Sequence, residues 1–130
     1  MIEQLLDTQV LLLFLQNDPN LPDSLAKRIE SPENRSLVSL ASLWELSQKQ
    51  SQGLVKFEAA QRPDFPSLLT EEGFEVLPIE WNTMKRASSL PAYHSDPTDR
   101  LLVAEAITRD VPILSLDEAF DRYEIKRIGA

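Results

Sequence analysis

The segment LLDTQVLLLFL, residues 5–15, contains the transition that decides the fold. The apolar run 2–6 that leads into it is typical of a short buried strand, and residues 8–16 are apolar enough for a buried helix. Asp7 lies between the two, where the strand ends and the helix begins. A strand followed directly by a helix is the unit from which parallel α/β sheets are built, so this segment predicts an α/β protein.

The rest of the sequence repeats this alternation. Pro63 and Pro66 forbid a continuous helix through residues 54–66, where we expect short helical pieces. Pro78 confines its strand to an edge or an end, and Gly53 ends the helix before the middle segment. Strands separated by helices predict a parallel sheet with right-handed crossovers. The later strands are predicted at 37–39, 74–79, 111–116 and 125–128, and the later helices at 23–30, about 40–51, 67–72, 81–89, 97–109 and a helical turn at 118–123.

The composition is that of an ordinary globular protein. The chain has 130 residues, 42% hydrophobic and 26% charged, which is enough for a single domain over residues 1–130. It has no cysteine, which excludes disulfides and thiolate metal sites. The apolar run 10–15 is too short to span a bilayer, and Glu3 and Asp7 are unlike the basic start of a signal peptide. We therefore expect a cytoplasmic protein without membrane contact.

The net charge of −8 limits how this protein can contact nucleic acid. Tight nonspecific binding depends on many Lys and Arg side chains that neutralise phosphates. A nuclease remains compatible with the charge, because a metal ion held among acids supplies positive charge locally. The acidity also favours a basic protein partner.

Acidic residues stand at four strand-to-helix transitions. Asp7 follows the first strand, Glu45 lies early in the helix of SLASLWELSQKQ (39–50), and Asp117 follows the run at 111–116. Asp96 and Asp99 lie in SDPTDRLLVAEA (95–106). A parallel sheet gathers such transitions at one edge, where like charges ~4 Å apart repel by about 4 kcal/mol at an effective dielectric of about 20. A divalent cation held against phosphate relieves that repulsion, so the pattern predicts a small metal-dependent nuclease.

Each acid taken alone also fits a helix cap. Asp7 could cap the helix that starts at Thr8, and Asp96 could cap the helix of residues 97–109. Ser42 with Glu45, and Ser115 with Glu118, have the spacing of capping boxes, and Asp117 lies beside the second pair. Ser, Thr or Asn would cap as well, however, so acids at all four transitions favour a shared site.

Five segments together resemble a known family. In order and spacing they are similar to PIN domains of the kind found in VapC-type toxins of bacterial toxin–antitoxin pairs, over nearly the whole chain and least over residues 54–66. The segments are LLDTQVLLLFL (5–15), SLASLWELSQKQSQGLV (39–55), GFEVLPI (73–79), LPAYHSDPTDRLLVAEAI (90–107) and SLDEAFDRY (115–123).

The resemblance implies a three-layer α/β/α sandwich around a short, mainly parallel sheet. It also implies dependence on Mg²⁺ or Mn²⁺ and hydrolysis of RNA to leave a 5′-phosphate and a 3′-hydroxyl. The family's acidic quartet falls on Asp7, Glu45, Asp99 and Asp117. These four are the expected catalytic residues and metal ligands, with Glu45 either ligating or orienting the attacking water. The expected partners are RNA, a cognate antitoxin and a second copy of the chain.

The resemblance also identifies supporting residues. Thr8 follows the first acid, and Asp96 is expected to cap the helix that presents Asp99. Gln9 stands where such toxins usually carry His or Asn, so we expect it to keep a polar role. Arg100 either clamps a phosphate or pairs with a neighbouring acid.

Four further residues admit plain structural interpretations. His94, the only histidine, is either a substrate contact or a solvated loop residue. Lys49 lies four residues after Glu45 and can form a local ion pair with it. Trp44 and Trp81 are expected in the core or in a dimer contact rather than as platforms for RNA bases.

Two alternatives to an active nuclease remain at this point. The chain could be a PIN-like module with weak or no catalysis, acting mainly through antitoxin binding and dimerisation, which Gln9 and the acidity favour. It could also be an aspartyl-phosphate enzyme or receiver-like domain, since Asp7 ends a first strand. The second alternative lacks the acid expected two residues after Asp7, the paired acids near the start and a late lysine after a strand.

Overall fold

A computed structural model describes residues 2–130, and within them five strands form one sheet in which every pairing is parallel. The strands are β1 (Ile2–Leu6), β2 (Asn34–Ser39), β3 (Glu75–Leu77), β4 (Ile113–Leu114) and β5 (Arg127–Ile128). Their order across the sheet is β3-β2-β1-β4-β5. The chain therefore builds one half of the sheet outward from β1 and then returns to the other side of β1. The reversal between β1 and β4 leaves a crevice at their carboxyl ends, the usual place for a site in such folds.

Within residues 2–130, six α-helices and two short 3-10 helices cover the sheet. The α-helices are α1 (Thr8–Leu15), α2 (Asp23–Glu30), α3 (Leu40–Ser51), α4 (Phe65–Glu71), α5 (Trp81–Ser89) and α6 (Pro97–Arg109). The 3-10 helices are Glu58–Gln61 and Glu118–Arg122. No helix within residues 2–130 is both long and apolar enough to cross a membrane.

Adjacent strand residues bury opposite faces of the sheet. Leu5 packs into a cluster with Leu102 and Val103 of α6, while Leu6 packs into a second cluster with Val10 and Leu11 of α1. Adjacent buried residues within β2, and within β4, divide between the same two clusters. A strand buried on both faces must be apolar at successive positions, which explains the continuous apolar runs in the sequence. The predicted three-layer α/β/α sandwich is confirmed.

The predicted alternation is confirmed, but several boundaries differ. β2 begins at Asn34, because Asn34 still pairs with Ile2 of β1. β4 is only two residues long, partly because the Val111 amide donates to the Ala106 carbonyl (3.1 Å) and so completes the end of α6. β3 is an edge strand, as Pro78 predicted.

The two capping boxes that the spacing allowed as alternatives do not form at these helix starts. Ser39, not Ser42, caps α3 by accepting from the Ala41 amide (3.1 Å), because α3 begins directly where β2 ends. Ser42 is instead buried. The Glu118–Arg122 turn is capped by Asp117, which accepts from the Ala119 amide (3.0 Å).

The two tryptophans do not lie in the core. The exposed fractions of Trp44 and Trp81 are 62% and 69%, so the prediction that places them in the core is wrong. In each helix a smaller residue is buried in place of the tryptophan, Leu43 in α3 and Ala87 in α5. The alternative prediction, a dimer contact, is untested.

Candidate active site

A cavity of about 380 Å³ opens at the carboxyl ends of β1 and β4. The acids predicted from the sequence come together there, although they are distributed over 110 residues of sequence. Its wall is formed by the first turns of α1 and α6, by one side of α3 and by Asp117, which follows β4. The polar residues that line it are Asp7, Thr8, Gln9, Glu45, Lys49, Asp96, Asp99 and Asp117.

Asp7 is both a helix cap and a wall of this cavity. Its Oδ1 accepts from the Val10 amide at 2.7 Å, and its side chain is 5% exposed. Burial is the main cause that raises the pKa of Asp7 to about 6; the negative charges of Asp117 and Glu45 act in the same direction, and hydrogen bonds from Ser115 and Val10 act against it. A carboxylate that is destabilised by burial and by other acids gains from a cation beside it.

Asp99, in the first turn of α6, also has a raised pKa and lies near other acids. Burial is the main cause that raises the pKa of Asp99 to about 7; the charges of Asp96, Glu45 and Asp7 act in the same direction, and His94 acts against them. Asp96 caps α6 by accepting from the Thr98 amide at 2.7 Å, as predicted, and so orients the first turn that carries Asp99. The acids therefore act on one another electrostatically across three elements.

Glu45 carries an unsatisfied acceptor. Its Oε2 lies 3.1 Å from the Lys49 ammonium, which is the ion pair predicted from the i, i+4 spacing. Its Oε1 is buried, and no group in residues 2–130 donates a hydrogen bond to it. A buried carboxylate oxygen without a donor is costly, and it suits a site that takes a cation.

Asp117 completes the acidic wall and is the most exposed of the four, with 46% of its side chain accessible. Burial alone would raise the pKa of Asp117, but hydrogen bonds from the Ala119 amide and from His94 outweigh it, and the pKa is lowered. Asp117 is therefore ionised at neutral pH. Its amide in turn donates to the Ser115 hydroxyl at 3.0 Å, which fixes the turn after β4.

His94 was missed by the sequence interpretation that made it a solvated loop residue. It is 8% exposed, and its Nε2 lies 3.0 Å from Asp117 Oδ2. Its Nε2 and one oxygen each of Asp99 and Asp117 all lie within 4.8 Å of one another. The available signal was its place as the only histidine, two residues before the acidic segment.

The predicted supporting residues divide into two groups. Thr8 and Gln9 line the cavity, and the Thr8 hydroxyl donates to Ser42 Oγ at 3.0 Å, joining α1 to α3. Arg100 does not line it, and it does not pair with a neighbouring acid as predicted. Its guanidinium donates to the carbonyls of Ala87 (2.8 Å) and Leu90 (2.9 Å) because the turn of α6 directs it toward the end of α5.

These residues fit a divalent cation of the hard class. The acids supply carboxylate oxygens, the ligands that Mg²⁺ and Mn²⁺ prefer, and Glu45 supplies one that has no donor in the described chain. In residues 2–130, Lys49 is the only cationic side chain among those that line the cavity, and it pairs with Glu45 alone. The negative charge of the other acids is left for an ion to neutralise.

Comparisons with solved structures agree on the fold. VapBC2 from Rickettsia felis, bound to a DNA fragment from its promoter, superposes with a TM-score of 0.73 at 17% identity, covering 98% of each chain. FitAcB from Neisseria gonorrhoeae gives 0.66 at 17% identity, covering 97% of this chain and 96% of that one. VapBC-1 from nontypeable Haemophilus influenzae gives 0.66 at 18% identity, covering 98% and 97%.

A search of curated proteins found no match. The sequence model of the PIN domain family, by contrast, matches residues 5–126. That match extends from β1 to the residue before β5 and includes all five acids that line the cavity. This chain therefore belongs to the PIN domain family.

Proposed function

We propose that this chain is a metal-dependent endoribonuclease that acts in the cytoplasm as the toxin of a toxin–antitoxin pair. The observation that carries the proposal is the convergence of Asp7, Glu45, Asp99 and Asp117 on one cavity. Two of these carboxyls have raised pKa values because burial and other acids disfavour their charge. Membership of the PIN domain family supports nuclease activity, and the choice of RNA rests on the resemblance to VapC-type toxins.

The chain's own residues divide the work of phosphodiester hydrolysis. Asp7, Asp99 and Asp117 would hold Mg²⁺ or Mn²⁺, which supplies a Lewis acid for the phosphate and lowers the pKa of nearby water. Glu45, held through one oxygen by Lys49, keeps its second oxygen free to orient a water molecule and accept its proton. Thr8 fixes α1 against α3, so that Asp7 and Glu45 keep their separation.

The partner that we propose is a basic antitoxin segment. The structures that this chain resembles include VapBC systems and a toxin–antitoxin complex from Klebsiella pneumoniae. A net charge of −8 and a concave acidic cavity suit Arg or Lys side chains, which form charge-assisted hydrogen bonds with carboxylates. Such a segment would occupy the cation site and block RNA.

We also propose a homodimer. Leu40 and Trp44 lie one turn apart on α3, and both are exposed, at 37% and 62%. A pair of large apolar side chains on one helix face is a common part of a protein interface. Sedimentation of the wild-type chain and of Trp44→Ser measures this directly, and a monomeric wild type would contradict it.

The decisive experiment incubates the purified chain with total RNA, with and without Mg²⁺, and maps the cut ends. We expect Mg²⁺-dependent cleavage that leaves 5′-phosphates. Asp7→Asn should remove it, while Asp64→Asn should not, because Asp64 is exposed and pairs with Arg62 away from the cavity.

Two outcomes would count against the proposal. Wild-type cleavage by Asp7→Asn would remove Asp7 from the catalytic residues. An intact chain that binds Mg²⁺ but cuts no RNA would favour the alternative, a catalytically weak PIN module that acts through antitoxin binding and dimerisation.

A further inference from the structure

The environment of His94 is unusual for a loop residue. The His94 ring packs against the ring of Phe120, with the two ring centroids 4.5 Å apart. Tyr123, from the end of the 3-10 turn, reaches its Nδ1 side, and Asp117 reaches its Nε2 side. The imidazole is therefore held at both nitrogens before any ligand enters the cavity.

The contacts at Tyr123 suit an imidazole that carries its proton on Nδ1. The tyrosine hydroxyl lies 3.3 Å from the Pro91 carbonyl, to which it can only donate. The same oxygen accepts from the backbone amide of His94 (3.1 Å). With the hydroxyl hydrogen directed at Pro91, the oxygen can also accept from His94 Nδ1 at 3.3 Å, and Nε2 is then available to a metal ion.

This arrangement is the one that metal-binding histidines use. A ligating imidazole nearly always donates its other N–H to an oxygen acceptor, which fixes the tautomer and directs the lone pair to the metal. In this chain Tyr123 is the acceptor, and Nε2 faces the carboxylates of Asp99 and Asp117. A cation bound between Nε2 and these carboxylates would take the place of the hydrogen bond from His94 to Asp117.

The distances suit a cation. Ligands about 2.1 Å from an octahedral ion are about 3.0 Å apart when adjacent and about 4.2 Å apart when opposite. His94 Nε2 and Asp117 Oδ2 are 3.0 Å apart, and the widest separation among the three ligand atoms is within 4.8 Å.

We propose that His94 is itself a metal ligand, which together with Asp99 and Asp117 gives the cavity one nitrogen and two oxygen donors and a preference for Mn²⁺ over Mg²⁺. The inference rests on the proposed nuclease site and adds a ligand and a selectivity to it. Imidazole suits first-row transition ions, whereas Mg²⁺ takes oxygen almost exclusively. Tyr123 is then a positioning residue that orients the ligand.

The test uses the full, untagged chain, because His94 is its only histidine. Pulsed electron paramagnetic resonance of the Mn²⁺-loaded chain should show the nitrogen coupling of one directly bound imidazole, and that nitrogen can belong only to His94. His94→Asn should abolish the coupling. Asparagine is the matched variant because its amide can still donate to Tyr123 while nothing replaces Nε2.

Metal affinity gives the second measurement. Titration followed by thermal denaturation should show Mn²⁺ binding ~10-fold or more tightly than Mg²⁺ to the wild type, and His94→Asn should lose that preference while it keeps its Mg²⁺ affinity. Tyr123→Phe should weaken Mn²⁺ binding by roughly 10-fold, the usual effect of removing a group that orients a ligand.

The outcomes separate this inference from the proposed function. If both ions stabilise the chain equally, no nitrogen coupling appears and RNA is cut, then His94 only holds Asp117 and the ligand assignment is overturned. If neither ion binds and RNA is not cut, the proposed function fails, and the inference fails with it.

Discussion

The first turn and the middle of α6 each carry an acid whose pKa is raised mainly by burial, but the charged groups around the two acids differ. Burial raises the pKa of Asp99 to about 7, and burial raises the pKa of Glu105 to about 7 as well. Around Asp99 the charges of Asp96, Glu45 and Asp7 act in the same direction as burial, and His94 acts against them. Around Glu105 the next contributions are the Ser39 hydroxyl and Arg109, which lower its pKa.

The difference teaches how to distinguish a cation site from a buried acid. Glu105 is 5% exposed, accepts one hydrogen bond from Ser39 (2.9 Å), and does not line the acidic cavity. Its other carboxylate oxygen is buried without a donor in residues 2–130, as at Glu45, but the groups that act on it, Ser39 and Arg109, favour its charge and are not acids. Asp99 faces acids from other elements, and a cation beside them would relieve their repulsion. Convergence of acids, rather than a shifted pKa, marks the functional region.

The largest expected effect follows from exchanging a carboxylate for an amide at each position. Asp99→Asn should lower RNA cleavage by about 100-fold or more, on the scale of losing a group that stabilises transition-state charge. Glu105→Gln should cleave at close to the wild-type rate. Initial rates on one RNA fragment at saturating Mg²⁺ measure both, and equal losses in the two variants would break the comparison.

The pH dependence of stability should sharpen the comparison. The folded pKa values of Asp7 (about 6), Asp99 (about 7) and Glu105 (about 7) lie above their unfolded values, chiefly because of burial. The folded state therefore holds protons that the unfolded state releases, and without divalent ions stability should fall as the pH rises from about 4 to about 7.

Urea denaturation between pH 5 and pH 8 measures this fall. Saturating Mg²⁺ should remove the part that comes from Asp7 and Asp99 and leave the part that comes from Glu105. Glu105→Gln should show the converse. A fall that Mg²⁺ does not change would mean that the ion binds elsewhere.

The smallest expected effect concerns the hydroxyl that faces Glu105. Ser39→Ala removes the cap of α3 and the hydrogen bond to Glu105, and it should cost about 1 kcal/mol of unfolding free energy. The cost should be greater at pH 8 than at pH 5, because the hydroxyl favours the ionised form. Ser39→Thr keeps the hydroxyl and is the control, and a cost that is the same at both pH values would show capping alone.

The sequence predicted the fold because its main signals are local. Each buried strand is an apolar run, and each helix has its own periodic or capping pattern, so the order of elements could be predicted one segment at a time. The boundaries could not be predicted in this way, because contacts with other residues set them. Asn34 belongs to β2 because it pairs with Ile2, and α6 ends where the Val111 amide donates to the Ala106 carbonyl.

The site was predictable to the extent that topology alone places residues. Parallel strands bring Asp7 and Asp117 to one edge whatever the side chains do. His94 depends on Tyr123, which is 29 residues later, and no periodic pattern connects the two. Arg100 follows Asp99 directly, but the turn of the helix directs it to the end of α5. Side-chain direction within a helix turn was the missing information.

The central position of β1 has a consequence for the order in which the protein is made. Leu5 pairs with Ile113, so the first strand waits through more than 100 residues of synthesis for its second neighbour. A nascent chain that ends before β4 lacks Asp117 and one side of the crevice. The cavity is therefore complete only after nearly the whole chain has been made.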